Sequence, residues 1–189
     1  MRKIIVSMHT TLDGFVAGEN GEMEWINVDD EMFDFVGKLT DDADTALYGR
    51  VTYEMMNGYW PTAGEQENAS KHDIEHSRWY NQSMKVVLST TITNSGLDKT
   101  IIISDNLADN INKLKRQDGK NIVIFGSATA THSLFNEGLI DELWLFVNPV
   151  VIGKGIPMFK GVKETTSLTL VESKQFPCGV VGLHYLKKQ

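Results

Sequence analysis

Apolar and polar positions along the chain follow two alternating patterns, which together predict an α/β fold. Short runs rich in β-branched and aromatic residues are typical of strands, and they are separated by stretches in which apolar residues recur at helical spacing. The predicted strands are residues 3–9, 44–49, 85–89, 101–103, 122–125 and 142–147. The predicted helices begin after Asp29, after Gly49, after Asp105 or Asn106, and just after Gly126.

The stretch 122–130 combines a buried strand, a turn of small residues and the start of a helix. A strand that ends in glycine and leads into a helix lets backbone N–H groups approach a phosphate. The same order recurs where Gly49 ends a predicted strand and Arg50 opens a helix. Each turn alone also suits simple packing, so the pattern predicts a candidate nucleotide site only when the two are taken together.

The last part of the chain predicts an antiparallel hairpin. Residues 167–174 and 180–186 alternate in polarity, and Pro177, Cys178 and Gly179 between them are typical of a turn. The element order therefore predicts one domain over residues 1–189, with three αβα layers and a mixed sheet that ends in this hairpin. Residues 58–78 are expected to form a long surface loop, with a helical part between about Ser70 and Asn81.

Composition narrows the classes of function. The formal net charge of -7 argues against a nucleic-acid surface, which needs a basic stripe. No apolar run approaches the length of a membrane span, and the apolar run at the start stops at Ser7, so neither a membrane segment nor a secretory signal is expected. The single Cys178 fits a reducing compartment, and we expect a cytoplasmic protein.

Several residues with possible chemistry favour a structural interpretation. His72 and His76 have helical i,i+4 spacing but lack the H-E-x-x-H pattern, so they predict a solvated helix face and no metal site. Trp60, Trp79 and Tyr80 are expected to anchor the 58–78 region to the body of the protein, with a roof over a cleft as the alternative.

Four segments resemble known families. Residues 11–25, the segment 47–54 and the turn 125–128 resemble the first loop, the Gly-Arg-x-Thr-[aromatic]-Glu segment and the cofactor turn of dihydrofolate reductases. The segment 138–155, with its Gly-rich end, resembles the reductase domain of the bifunctional riboflavin-biosynthesis deaminase/reductase. The resemblance covers nearly the whole chain outside roughly residues 57–83.

This resemblance implies a dihydrofolate-reductase-like fold and hydride transfer from NADPH to a small heterocyclic or carbonyl substrate. Reduction of the pyrimidine of riboflavin synthesis is less expected, because the chain carries no zinc signature of the deaminase half. An alternative is a non-catalytic NADPH-binding regulatory or interaction module. Relatives of the riboflavin type pair through sheet edges, so the resemblance also implies a homodimer, for which the hairpin at 167–186 offers an edge.

The cofactor positions follow from the resemblance. Arg50 could pair with a phosphate as a planar fork, Ser89 and Thr90 match positions near the 2′-phosphate, and Val16 and Ala17 match residues that line the nicotinamide. The full implied set is Val16, Ala17, Gly49, Arg50, Val51, Thr52, Leu88, Ser89, Thr90, Phe125, Gly126, Ser127, Ala128 and Thr129.

Two further expectations concern the chemistry of the site. Counting five positions from Trp25, the resemblance places the catalytic acid at Asp30, although a first-turn acid that complements the helix dipole is an equally good interpretation. Asp13 competes with it, but its position before Gly14 favours a turn role. Dihydrofolate reductases have two glycines joined by a cis peptide at the cofactor turn, and we expect the bond between Gly126 and Ser127 to be cis as well.

Overall fold

The computed structural model describes residues 1–92 and 98–188. Its helices are α1 (Asp30–Asp41), α2 (Arg50–Ala63), α3 (Lys71–Gln82), α4 (Leu107–Arg116) and α5 (Ala128–Asn136). Its strands are β1 (Ile4–Thr11), β2 (Phe15–Ala17), β3 (Ala43–Gly49), β4 (Met84–Leu88), β5 (Thr100–Ile103), β6 (Asn121–Phe125), β7 (Glu142–Asn148), β8 (Ile156–Pro157), β9 (Leu168–Gln175) and β10 (Val181–Lys187). Within the described part of the chain, no helix is long and apolar enough to cross a membrane.

Eight strands form one mixed sheet in the order β5-β4-β3-β6-β1-β7-β10-β9. The strands from β5 to β7 pair in parallel, whereas β10 pairs antiparallel with both β7 and β9. The C-terminal hairpin and the mixed α/β sheet predicted from the sequence are therefore confirmed. The strands β2 and β8 form a separate antiparallel pair beside the main sheet.

The sheet is covered on both faces because successive residues of its central strands point to opposite sides. On β1, Ile4 and Val6 pack into a core with residues of α4 and α5, whereas Ile5 packs into a second core with Met32 of α1 and Trp144 of β7. This arrangement confirms the three predicted layers. It also confirms that β7 is an interior strand covered on both sides.

The expectation of a loop from residue 58 was wrong, because α2 continues through Gly58 and Pro61 to Ala63. Tertiary packing explains the difference: the Trp60 ring lies 4.1 Å from the ring of His76 on α3, centroid to centroid. Burial of such an aromatic ring outweighs the poor helix propensity of glycine and proline in the last turns.

The helix predicted between Ser70 and Asn81 is confirmed as α3, and it begins with a reciprocal capping box between Ser70 and Asp73. The predicted anchoring role of the aromatic residues is also confirmed. Tyr80 is fully buried, and the indole N–H of Trp79 donates to the carbonyl oxygen of Ala43 at 2.8 Å.

Candidate functional site

Two helix N-termini meet at Ser127. The backbone N–H of Gly49, directly before α2, donates to the buried hydroxyl of Ser127, directly before α5, at 2.8 Å. Neither helix has a side-chain cap or an acidic residue in its first turn. The N–H groups of both first turns therefore lack the partners that usually satisfy them, and both positive dipole ends are available to an anion.

A cleft of about 650 Å³ opens in front of these two N-termini. Its lining includes every predicted cofactor residue except Phe125, namely Val16, Ala17, Gly49, Arg50, Val51, Thr52, Leu88, Ser89, Thr90, Gly126, Ser127, Ala128 and Thr129. The structure thus brings together positions that are far apart in the sequence. That they bind a cofactor stays a prediction.

Other residues of the cleft were missed by the sequence reasoning. They are Met23, Thr91, Ile103, Ser104, Asp105, Asn106, Leu107, Ala130, Ser133 and Ile156. Residues 103–107 join the cleft because β5 pairs with β4, which places the carboxyl end of β5 beside Leu88. The capping signal at Asp105 and Asn106 marked a helix start, but only the strand order could have placed that start at this cleft.

Gly126 shapes the floor of the cleft. Its φ of +65° is a left-handed conformation that side chains rarely adopt, and a Cβ added to it would meet no atom within 4 Å. A side chain at this position would therefore project into open space in front of the turn. Gly126 lines the cleft, so the absence of a side chain leaves a cradle of backbone open beside this turn.

The expectation of a cis bond between Gly126 and Ser127 was wrong, since no peptide bond of the described residues is cis. The left-handed φ of Gly126 turns the chain instead. Ser127 has a structural role that glycine could not have. Its hydroxyl oxygen accepts a hydrogen bond from the Gly49 N–H and so joins the starts of the two helices.

Phe125 does not line the cleft. Its ring packs against the rings of His76 and Trp79 on α3, at centroid distances of 5.5 and 5.7 Å. Phe125 therefore lies under α3, while the next residue, Gly126, faces the cleft.

Arg50 is exposed at the mouth of the cleft and forms an i,i+4 ion pair with Glu54 at 2.9 Å. Both side chains are about half exposed, so this pair contributes little to stability. The guanidinium can exchange the carboxylate for a phosphate at small cost.

The two candidate acids lie away from the cleft lining. Asp30 is exposed at the start of α1 and borders a second space, a groove of about 1110 Å³ between α1 and α3. The carboxylate of Asp13 accepts hydrogen bonds from the backbone N–H groups of Gly153 at 2.8 Å and Ile152 at 3.4 Å. A hydrogen bond from the Thr11 side chain, together with these two, lowers the pKa of Asp13. Asp13 thus connects the loop before β8 to the turn between β1 and β2.

The solvated histidine face predicted for α3 was wrong. His72 stacks on Phe33 of α1 with ring centroids 4.0 Å apart, and His76 is buried among Trp60, Trp79 and Phe125. Burial, and to a smaller extent the neighbouring His72, lowers the pKa of His76 to about 3. Among the residues that the structure describes, no three His, Cys, Asp or Glu side chains are grouped to hold a metal ion.

Solved structures with a similar architecture show which fold this is. A putative riboflavin biosynthesis protein from Shewanella sp. PV-4 matches with a TM-score of 0.75 and 24% identity over 99% of both chains. A deaminase/5-amino-6-(5-phosphoribosylamino)uracil reductase from Thermotoga maritima matches with a TM-score of 0.69 and 15% identity, over 99% of this chain and 57% of that one. The fold is the dihydrofolate-reductase-like α/β fold of riboflavin-type reductase domains.

The family follows from the sequence comparison. The sequence model of the RibD C-terminal domain family matches residues 2–182, and the chain belongs to this family. The uncharacterized protein YyaP of Bacillus subtilis (strain 168) is 36% identical over 188 residues, which is 97% of this chain and 94% of YyaP. The uncharacterized protein YwjB of the same strain is 28% identical over 98% of both chains.

Proposed function

We propose that this protein is an NADPH-dependent reductase that transfers a hydride to a small heterocyclic or carbonyl substrate. The observation that carries the proposal is the cleft in which two uncapped helix N-termini meet over the open cradle at Gly126. A pyrophosphate suits this place, because two positive dipole ends and the backbone N–H groups converge on it. Membership of a reductase-type family supports the same proposal.

The other cleft residues suit the remaining parts of the cofactor. Ser89 and Thr90 follow β4 and offer hydroxyl groups for an adenosine 2′-phosphate, with Arg50 as the nearby cation. Val16 and Ala17 are buried and offer an apolar wall to a nicotinamide. Bound there, NADPH would supply the hydride, and the chain's own task would be to orient the ring and exclude water.

A second candidate function is a non-catalytic NADPH-binding module. The exposure of Asp30 favours it, because this candidate acid faces solvent at the start of α1, where water competes with a substrate for its carboxylate. Both functions require the cofactor, so they differ only in whether a substrate is reduced.

Two measurements test the proposal in sequence. We expect saturating NADPH to raise the melting temperature, since a ligand that binds only the folded state stabilises it by mass action. We then expect the absorbance of NADPH at its nicotinamide band to fall when dihydrofolate, a uracil derivative, menadione or an aromatic aldehyde is added. If NADPH stabilises the protein but none of these compounds oxidises it, the binding module is favoured. If NADPH does not stabilise the protein, both candidate functions are contradicted.

Replacement of Arg50 by Ala tests which phosphate this residue binds. We expect Arg50→Ala to weaken the binding of NADPH about tenfold and the binding of NADH much less. The reason is that the charge-assisted hydrogen bonds lost in this variant are the ones proposed for the 2′-phosphate, which NADH lacks. Binding of both cofactors is measured by nicotinamide fluorescence. The control is Glu54→Ala, which removes the partner of Arg50 and leaves its charge. Equal weakening of NADPH and NADH would place Arg50 on the pyrophosphate instead.

We also propose that the protein is a homodimer. The edge strand β9 is mostly exposed, with Leu170 and Val171 showing 51% and 53% of their surface. An exposed apolar edge strand is a natural pairing surface for a second copy. We expect light scattering at micromolar concentration to give twice the chain mass, and Leu170→Lys to give a monomer. A monomeric wild type would contradict the proposal.

A further inference from the structure

His9 lies at the carboxyl edge of the sheet, one strand away from the Gly126 turn. On β1, Ser7 is opposite Phe125 of β6, so His9 is two residues further toward the edge at which β6 ends. A step of two strand residues is roughly 7 Å. The His9 ring packs against Phe146 on the α1 side of the sheet, with centroids 5.4 Å apart, and most of its surface is buried.

The amide of Asn148 favours one of the two ring nitrogens of His9 as the site of the proton. Asn148 is completely buried, and its Oδ1 accepts from the backbone N–H of Asn27 at 2.8 Å. Its Nδ2 lies 3.2 Å from the carbonyl oxygen of Thr10 and 3.0 Å from that of Phe146. An amide in this setting has only one orientation, with the nitrogen toward the two carbonyl groups.

The same Nδ2 lies 3.2 Å from Nδ1 of His9. Nδ2 carries two N–H groups and no free acceptor site, so His9 Nδ1 and the two carbonyl oxygens share these two donors, and the arrangement favours the neutral ring with its proton on Nε2. Protonation of Nδ1 would set two donors against each other. Burial is the one cause that shifts the pKa of His9, which it lowers to about 4, so the ring stays neutral near pH 7.

The Nε2–H group of His9 is an unused donor. Among residues 1–92 and 98–188 it has no hydrogen-bond partner. It is nevertheless not one of the side-chain nitrogen and oxygen atoms of these residues that are both fully buried and unpaired. His9 is only partly buried, so this nitrogen is not sealed in the core, and it lies beyond the lining of the cleft of about 650 Å³. The ring is buried on one side, and in the favoured tautomer its Nε2–H group has no partner. This group can therefore donate to a ligand that accepts a hydrogen bond.

We propose that the Nε2–H of His9 donates a hydrogen bond to the reducible group of the substrate, a carbonyl oxygen or an imine-type nitrogen. This inference rests on the proposed hydride transfer. The reduction breaks the π bond, adds the hydride from NADPH to carbon and adds a proton to the oxygen or nitrogen. The proton comes from water, because a neutral imidazole donates a hydrogen bond but is a very weak acid. His9 holds and polarises the acceptor atom, so the site selects substrates that accept at this atom.

Two variants separate the donor from the ring. His9→Gln places an amide N–H near the position of Nε2, whereas His9→Phe keeps a ring of similar size without any donor. Menadione, which presents carbonyl oxygens, serves as the probe with NADPH. We expect His9→Phe to lower kcat/KM at least tenfold and His9→Gln to stay within threefold of wild type, with the same NADPH affinity in all three proteins. Equal rates in His9→Phe and wild type, or equal losses in both variants, overturn the proposal.

A binding measurement keeps the inference testable if menadione is not reduced or a variant does not fold. In wild-type protein labelled with ¹⁵N-histidine, we expect the His9 ring to show a protonated Nε2 and a bare Nδ1. Its Nε2 signal should move saturably when menadione is added in the presence of NADP⁺. A proton on Nδ1, or no movement of the signal, overturns the inference. Failure of NADPH to bind would instead overturn the proposed function, and the menadione titration of the apoprotein would still test the donor.

Discussion

A change from about pH 7.5 to about pH 5 is expected to lower the free energy of unfolding by at least about 4 kcal/mol, because His9 and His76 stay neutral in the folded protein and burial also lowers the pKa of His72. The pKa values of His9 and His76 are lowered to about 4 and about 3, respectively. In the unfolded chain both rings take up a proton near pH 6.5, so the unfolded state binds more protons throughout this interval.

The sign follows from this difference in proton binding. Above about pH 7 neither state is protonated at these rings, so their proton binding does not change the free energy of unfolding. As the pH falls below 6.5, each ring favours the unfolded state by about 1.4 kcal/mol per pH unit, until the pH reaches the pKa of the folded protein. Carboxylates with lowered pKa values, such as Asp29 and Asp73, titrate below this interval.

Urea unfolding of wild type and His76→Phe at both pH values measures the effect. Phenylalanine fits the aromatic surroundings of His76 and removes an Nε2 that is buried without a partner. We expect the loss between the two pH values to be about 2 kcal/mol smaller in the variant than in wild type, because one ring that is held neutral is gone. The same pH dependence in variant and wild type would show that His76 is not held neutral.

Replacement of Asn148 by Ala is expected to lower the free energy of unfolding by about 3 kcal/mol, because it leaves several buried backbone groups without partners. The side chain binds the N–H of Asn27 and the carbonyl groups of Thr10 and Phe146. It therefore joins β1, β7 and the segment that leads into α1. Urea unfolding near pH 7.5 measures the loss.

Asn121→Ala is the matched control. The amide oxygen of Asn121 accepts one hydrogen bond, from the backbone N–H of Lys3, at an exposed place. We expect this variant to lose less than about 1 kcal/mol, because water replaces the lost partner. Similar losses in the two variants would mean that the buried network around Asn148 contributes no more than a surface hydrogen bond.

Local patterns in the sequence predicted the elements well where the pattern and the packing agree. Asp29 caps α1 as expected, with its carboxylate accepting from the N–H of Met32 at 2.8 Å. The alternation of residues 167–174 and 180–186 likewise predicted the hairpin. In such stretches the backbone preference and the buried face are both set by neighbours in the chain, so short windows suffice.

Features set by distant contacts could not be read from the sequence. The continuation of α2 past Gly58 depends on the contact of Trp60 with α3. The inclusion of residues 103–107 in the cleft depends on the pairing of β5 with β4. The partnership of His9 with Asn148 joins residues at opposite ends of the chain. Neither periodicity nor capping signals report contacts of this kind.

The sequence also could not show on which face of the sheet a strand residue lies. Alternation predicts that Ile124 and Phe125 face opposite ways, but not which of them faces the cleft. The resemblance assigned Phe125 to the cofactor, whereas its ring packs under α3 against His76 and Trp79. The same resemblance assigned Gly126 and Ser127, and both line the cleft.

The central claim is that NADPH binds over the cradle at Gly126, and a calorimetric titration of three proteins tests it most directly. Gly126 and Gly161 both have a φ of +65°, and an added Cβ would meet no atom within 4 Å at either position. Replacement by Ala therefore strains both backbones by a similar 1–2 kcal/mol or so, but Gly161 is an exposed loop residue outside the cleft lining. We predict one saturable site per chain in wild type, the same affinity in Gly161→Ala, and at least about tenfold weaker binding in Gly126→Ala, where the methyl group occupies ligand space. Equal NADPH affinity in the two variants, or no saturable binding by wild type, would contradict the claim.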